Sequence, residues 1–189
     1  MGWEFDILNG IQSAFQSDLM DQIMPAVTAL GNGGIFWIAS GLVFTMYKRT
    51  RTLGICILTA LVLEVISCNV ILKPLIARPR PFSYDPTRML LIPAPEDYSF
   101  PSGHTAVSFA AASAAWFMKN RKLGAAFGVT ACLIAFSRLY LYVHYPTDIF
   151  AGAVIGILCG AAASKITETA AAARAARKGS GSEIPAGKL

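Results

Sequence analysis

Apolar residues fall in long blocks along this chain, with polar residues in short clusters between them. Five apolar blocks run at about 35–47, 53–72, 103–118, 123–143 and 147–165. A helix rises about 1.5 Å per residue, so about 20 residues cross the ~30 Å hydrocarbon layer of a bilayer. The second, fourth and fifth blocks reach that length. The first and third fall short, so they must extend into neighbouring polar sequence or sit where the bilayer thins. The pattern predicts an all-α, polytopic membrane helix bundle of five transmembrane helices, or six if residues near 18–30 also insert. The first thirty residues intersperse Trp3, Phe5, Ile7, Leu8, Ile11 and Phe15 with Asp6, Asn9, Gln12, Gln16, Asp18 and Asp21. Each charge at mid-bilayer costs about 2.5–3.5 kcal/mol on insertion scales, so an amphipathic or re-entrant segment is expected there. Gly31-Asn32-Gly33-Gly34 ends it. Three regions result: an interfacial segment at 1–30, a membrane core at 31–168, and a basic, then flexible tail at 169–189, disordered beyond Lys178.

Composition agrees with a membrane protein. Only 14% of residues are charged and 54% are hydrophobic, whereas soluble domains carry about 25% charged residues. The net charge of +5 does not point to nucleic acid, because the basic residues flank apolar blocks. Lys48, Arg49 and Arg51 join the first two spans, Lys119, Arg121 and Lys122 the third and fourth, and Arg174, Arg177 and Lys178 follow the fifth. With alternating spans these clusters share one side, which the positive-inside rule makes cytoplasmic. The chain is therefore expected in the plasma (inner) membrane, its remaining polar clusters on the extracytoplasmic face. No cleavable signal peptide is expected, since Glu4 and Asp6 stand where a basic n-region belongs. Cys56, Cys68, Cys132 and Cys159 lie inside apolar blocks without metal-ligand spacing and read as small buried residues. Gly152, Gly156 and Gly160 recur every fourth position, a spacing that allows close helix approach within the chain.

Three polar islands carry the chemistry. The first is Lys73 to Pro81, the second Pro101-Ser102-Gly103-His104, and the third Ser137-Arg138, His144 and Asp148. Arg80 and Arg138 can each present a planar fork to two phosphate oxygens, and Lys73 a mobile point charge. Arg138 sits among Leu133, Ile134, Phe136, Leu139 and Tyr140, and an ionisable residue in such surroundings is a functional candidate by default. Ser102 can cap the following helix and Gly103 lets backbone approach an anion at the helix N-terminus. Pro146 suits the first turn of the last helix. His144 then lies just outside it, within reach of Asp148, which can hold one ring N–H so that the other nitrogen attacks. Glu64 and Asn69 precede the first island; Glu64 reads as a helix-packing group. The loop 82–100 is long enough to cover the site.

These motifs, Lys73-x6-Arg80-Pro81, Pro101-Ser102-Gly103-His104 and Ser137-Arg138-x5-His144-x3-Asp148, resemble the three signatures of the type 2 phosphatidic acid phosphatases, the lipid phosphate phosphatases. The resemblance covers roughly residues 30–165; the N-terminal segment departs from the family's usual six-span pattern. It implies a double displacement without metal or cofactor. His144 is the implied nucleophile, forming a phosphohistidine, with Asp148 orienting it and His104 protonating the leaving oxygen. Lys73, Arg80, Ser102, Gly103 and Arg138 are the implied phosphate-binding set. Related vanadate-dependent haloperoxidases share this pocket, but the apolar blocks argue against their chemistry.

The leading expectation is a lipid phosphatase acting on a lipid (pyro)phosphate, undecaprenyl pyrophosphate first, with phosphatidylglycerophosphate or phosphatidic acid as the runner-up. A phosphotransferase using the same intermediate is a second class. A non-enzymatic protein binding anionic lipid is a third, and predicts that His144→Ala keeps its activity. Paired histidine roles predict a bell-shaped pH profile. Nothing in the sequence sets the oligomeric state.

Overall fold

The computed structural model describes residues 2–85 and 87–180, and they contain helices and no strand. Helix α1 (Gly2–Phe15) leads to α2 (Asp18–Ala29), whose N-terminus Ser17 caps by accepting from Met20 N at 3.3 Å. Gly33 and Gly34 then turn the chain at φ +56° and +66°, where a side chain would be strained. Helix α3 (Ile35–Met46) follows, then α4 (Arg51–Glu64), which passes through a π-helical stretch (Val65–Leu72) into the short α5 (Lys73–Ile76). After a long loop come α6 (Gly103–Phe117), α7 (Arg121–Tyr140) and α8 (Pro146–Ser180).

Helix α6 is the axis of the bundle. Thr105–Ser108 and Ala110–Ala115 are all buried, enclosed by α4, α7 and α8. Its alanines and serines make it thin, so neighbouring backbones come close. The glycine stripe of α8 faces it. A β-carbon on Gly152 would stand 2.7 Å from the carbonyl oxygen of Ser102, and one on Gly160 2.7 Å from Ala114 N. The stripe is thus spent on packing inside the chain. A β-carbon on Gly156 would press on Phe109 Cβ and Ala110 N, each at 2.9 Å, and on the carbonyl of Ala106. Gly156→Val should therefore destabilise the fold by about 3 kcal/mol, the upper end for overpacking, because backbone cannot yield. Thermal unfolding in detergent against Gly128→Val, whose β-carbon would meet nothing within 4 Å, measures it.

By length and composition alone, fewer helices qualify as spans than the five or six expected. Among the described residues, three helical runs are long and apolar enough to cross a bilayer: Arg51–Tyr84, Arg121–Tyr140 and Pro146–Arg177. A fourth arises if α2 and the segment Asn32–Met46, bent by 43° at the glycine turn, form one broken span. Residues 18–30 then complete the short first block instead of adding a sixth span. Helix α6, with 15 residues, is only about 22 Å long, and it is buried along most of its length, with Trp116 and Phe117 exposed at its end.

Helix α1 turns Glu4 and Leu8 inward and leaves Trp3, Asp6, Ile7 and Phe15 exposed. Two other expectations also change. The expected tail from 169 continues α8 as far as Ser180, because alanines carry the helix on; residues 181–189, where disorder was expected, lie outside the described residues. Cys56, Cys68 and Cys159 are buried, but Cys132 is exposed on α7.

Candidate active site

The three islands meet at one end of the bundle. Ser102 caps α6, accepting from Thr105 N at 3.5 Å, and its own N–H donates to the carbonyl of Asp148 at 3.1 Å. The N-termini of α6 and α8 are thereby tied together. Pro146 opens α8, placing Asp148 in its first turn and His144 in the loop before it. Around a cavity of about 370 Å³ stand Lys73, Arg80, Gly103, His104, Arg138 and His144, together with Thr28, Asn32 and Asp97. Ser102 and Asp148, both fully buried, lie behind that wall.

His144 is held from two sides. Arg80 Nη1 lies 3.1 Å from its Nε2, and Asp148 Oδ2 lies 3.4 Å from its Nδ1. A guanidinium can only donate, so Nε2 accepts and the ring proton resides on Nδ1, toward the carboxylate. Burial above all, then the charges of Arg80, Arg138 and Lys73, hold the imidazole well below its ordinary pKa of 6.5. The ring is neutral, with its lone pair on the cavity side.

Asp148 is itself fully engaged. Its Oδ2 accepts from Ser99 Oγ at 2.5 Å and Tyr145 N at 2.9 Å, and its Oδ1 from Arg78 Nη1 at 2.7 Å. Arg78 Nη1 also donates to Thr147 Oγ1 and Nη2 to Glu4 Oε2, at 2.7 and 2.6 Å. Thr147 closes the ring by donating to Glu4 Oε1 at 2.6 Å. The guanidinium lies over the Tyr145 ring, 3.8 Å from its centre. Glu4 in α1 therefore anchors an arginine that anchors Asp148.

The cations face the cavity with partners of their own. Arg80 donates to the carbonyls of Val143 and Asp97 and, at 2.5 Å, to Asp97 Oδ1. Lys73 pairs with the other oxygen of Asp97. Burial would raise the Asp97 carboxyl, but hydrogen bonds and charge from Lys73 and Arg80 outweigh it and hold the group at about 2. Arg138 Nη1 donates to Thr28 Oγ1 at 2.8 Å, while its Nε finds no partner among the described residues. His104 Nε2 lies 2.9 Å from Asn32 Oδ1. The loop after Tyr84 roofs the cavity with Ile92, Pro93, Ala94 and Pro95. Leu90 and Ile92 pack against buried Met24, Tyr140, Leu141 and Val143, whereas Met89 stays exposed.

All eight residues read from the sequence thus converge, six on the cavity wall and two behind it. Arg78, Glu4, Ser99, Asp97, Asn32 and Thr28 were not among them. Arg78 carried a signal, because Pro79 and Pro81 keep the backbone extended and residues 78 and 80 are functional neighbours. Glu4 carried none.

The chain is 32% identical over 120 residues to the undecaprenyl-diphosphatase of Sulfolobus acidocaldarius, a match covering 64% of this chain and 58% of that protein. The chain thus spans little more than half of that relative's length. It is 31% identical over 160 residues to undecaprenyl-diphosphatase BcrC of Bacillus subtilis, covering 82% of this chain and 78% of BcrC. Its fold is similar to the crystal structure of Aquifex aeolicus LpxE, with a TM-score of 0.72 at 28% identity over 85% of this chain and 94% of the other. Residues 53–171, which hold all three islands, match the PAP2 superfamily, and the chain belongs to that superfamily.

Proposed function

We propose that this phosphatase hydrolyses a lipid diphosphate, undecaprenyl diphosphate to undecaprenyl phosphate, through a phosphohistidine on His144. The observation that carries the mechanism is the position of His144, with Asp148 at its Nδ1, Arg80 at its Nε2 and its ring on the wall of a cavity lined by cations. In the first step Nε2 attacks the terminal phosphorus. The bond to the bridging oxygen breaks, and His104 protonates that oxygen. In the second step water attacks phosphorus, gives a proton back to His104, and the P–N bond breaks to release inorganic phosphate. Lys73, Arg80 and Arg138 stabilise the equatorial oxygens as charge spreads over them. The Asp97 carboxylate already bridges Lys73 and Arg80, and a phosphoryl group competes for the same two cations. Ser102 and Gly103 hold the α6 N-terminus toward the anion.

The substrate assignment rests on the relatives named undecaprenyl-diphosphatase. Phosphate release by purified protein from undecaprenyl diphosphate, phosphatidylglycerophosphate and phosphatidic acid tests it: kcat/KM should be at least about tenfold higher for the diphosphate. Equal rates would leave a broad lipid phosphatase. The same assay with EDTA should lose no activity. Among the described residues no three His, Cys, Asp or Glu side chains gather as a metal site would require, and three cations supply the charge a metal would bring.

The extracytoplasmic face is the side we propose for the site, from the distribution of basic residues. Helices α4 and α7 start beside Lys48, Arg49 and Arg51 or Lys119, Arg121 and Lys122 and end at the site, while α6 runs the opposite way. The basic clusters thus lie at the end of the bundle remote from the cavity, the end that the positive-inside rule makes cytoplasmic.

The pH profile follows from His144. Its pKa is lowered, so the attacking neutral form persists as pH falls below 6.5 and is lost only on approaching the depressed value. The acid limb of kcat/KM, which reports the free enzyme, should fall below pH 6.5. A limb at or above that value would assign it to another group.

A further inference from the structure

A second cavity, of about 240 Å³, lies on the far side of His104. It shares Lys73, Asp97, Gly103 and His104 with the first, but not His144, Arg80 or Arg138, and adds Glu64 and Asn69. Glu64 is 1% exposed, and its Oε1 finds no hydrogen-bond partner among the described residues. A helix-packing role does not account for that. A buried carboxyl oxygen normally has a protein or ordered-water partner, and this one belongs to a residue on the wall of a polar cavity with room for several waters.

The backbone is shaped to make this wall. Along an α-helix, at about 100° per residue, Glu64 and Lys73 would stand about 180° apart. The stretch between them, Val65–Leu72, is π-helical. At about 4.4 residues per turn, nine residues return to within roughly 20° of the same face. The wider winding therefore brings Glu64, Asn69 and Lys73 into one wall. Gly103 lines both cavities, and a β-carbon there would stand 3.3 Å from Asn69 Oδ1 and 3.7 Å from Lys73 Nζ.

We infer that this cavity is the acceptor subsite of the second half-reaction, holding the hydroxylic nucleophile, water in hydrolysis, against Glu64 and Asn69 before it attacks the phosphohistidine. The inference rests on the proposed His144 intermediate. Displacement at phosphorus is in line, so the group that resolves a phosphohistidine approaches from the side opposite His144. His104, the base for that step, lines both cavities, whereas His144 lines only the first, so the second cavity adjoins the attacking side. The acceptor O–H loses its proton to His104 as the O–P bond forms and the P–N bond breaks. Glu64 accepts from the second hydroxyl hydrogen or from a neighbouring water and so fixes the direction of attack.

Rapid-quench kinetics with labelled lipid diphosphate separates the two half-reactions. In Glu64→Gln and Glu64→Leu the rate of phosphoenzyme formation should stay within about threefold of wild type. Its hydrolysis should slow roughly tenfold to a hundredfold, so that acid-labile label accumulates. With glycerol as a competing acceptor, wild type should form some glycerol phosphate, and the ratio of transfer to hydrolysis should change in both variants. Unchanged hydrolysis of the intermediate, or an equal loss in both steps, would overturn the subsite. Glu64→Gln keeps the shape and serves if the leucine variant does not fold. Absence of any phosphoenzyme in wild type would instead overturn the His144 mechanism itself.

Discussion

Replacing His144 with alanine should lower kcat by roughly four to six orders of magnitude, the range seen when a covalent nucleophile is removed, and should abolish acid-labile phosphate on the protein. The loss is chemical and not architectural. Arg80 keeps its bonds to the carbonyls of Val143 and Asp97, and Asp148 keeps Arg78, Ser99 and the backbone of Tyr145. His104→Ala gives the contrasting result. It should fail on lipid substrates whose leaving oxygen needs a proton, yet still be phosphorylated by p-nitrophenyl phosphate, whose phenolate leaves unaided, and then lose that label slowly because water has no base to take its proton. His144→Ala should fail on both. A His144→Ala protein that turns over either substrate would remove the intermediate and favour a binding role for the cations. The two measurements needed are phosphate release and label retained on denatured protein, with the unfolding temperature confirming that the variant is folded.

The site was more legible than the fold because its signals are local or chemically conspicuous. Two histidines and a few cations stand out against apolar sequence, and capping rules place Ser102 and Pro146 at helix starts without reference to anything distant. The i,i+4 spacing of His144 and Asp148 is likewise local. The number of spans is a different kind of quantity. Hydropathy counts apolar residues without saying what covers them, so α6 reads like a lipid-facing block although protein covers most of it. Its excess of Ala and Ser, small enough for close approach by α8, was the one clue to its central place. The break between α2 and α3 was visible in Gly31 to Gly34, but the 43° angle that lets both segments serve one span depends on what they pack against. The continuation of α8 past 169 was missed because basic residues suggested a tail, whereas alanine propensity governs the backbone there. Glu4, Asp97 and Ser99 belong to segments without periodicity or motif, and only three-dimensional proximity reveals them.

Arg78 carries the second large effect, and it should appear in stability as much as in rate. Its guanidinium is the charged partner of two buried carboxylates, Glu4 and Asp148. Arg78→Ala leaves both in a poorly hydrated interior without that cation, which costs about 3–5 kcal/mol when one partner of a buried pair is removed. The catalytic loss follows from Asp148. Freed from Arg78 Nη1, the carboxylate keeps only its Oδ2 contacts and can swing from His144 Nδ1, so the ring loses the tautomer that aims Nε2 at phosphorus. A carboxylate that fixes a catalytic imidazole in this way contributes about 10⁴-fold in kcat where it has been removed, and a loosened one should cost roughly 10²–10³-fold. Pairing the change with Glu4→Gln separates the two effects. The double variant Glu4→Gln/Arg78→Ala removes one stranded charge and should recover part of the unfolding temperature, while kcat stays low because Asp148 Oδ1 still lacks its arginine. Recovery of kcat together with stability would show that Arg78 acts only by holding α1 to the bundle. Arg78→Lys, which retains the charge but cannot span Asp148, Thr147 and Glu4 with one planar fork, should fall between wild type and alanine in stability and closer to alanine in rate.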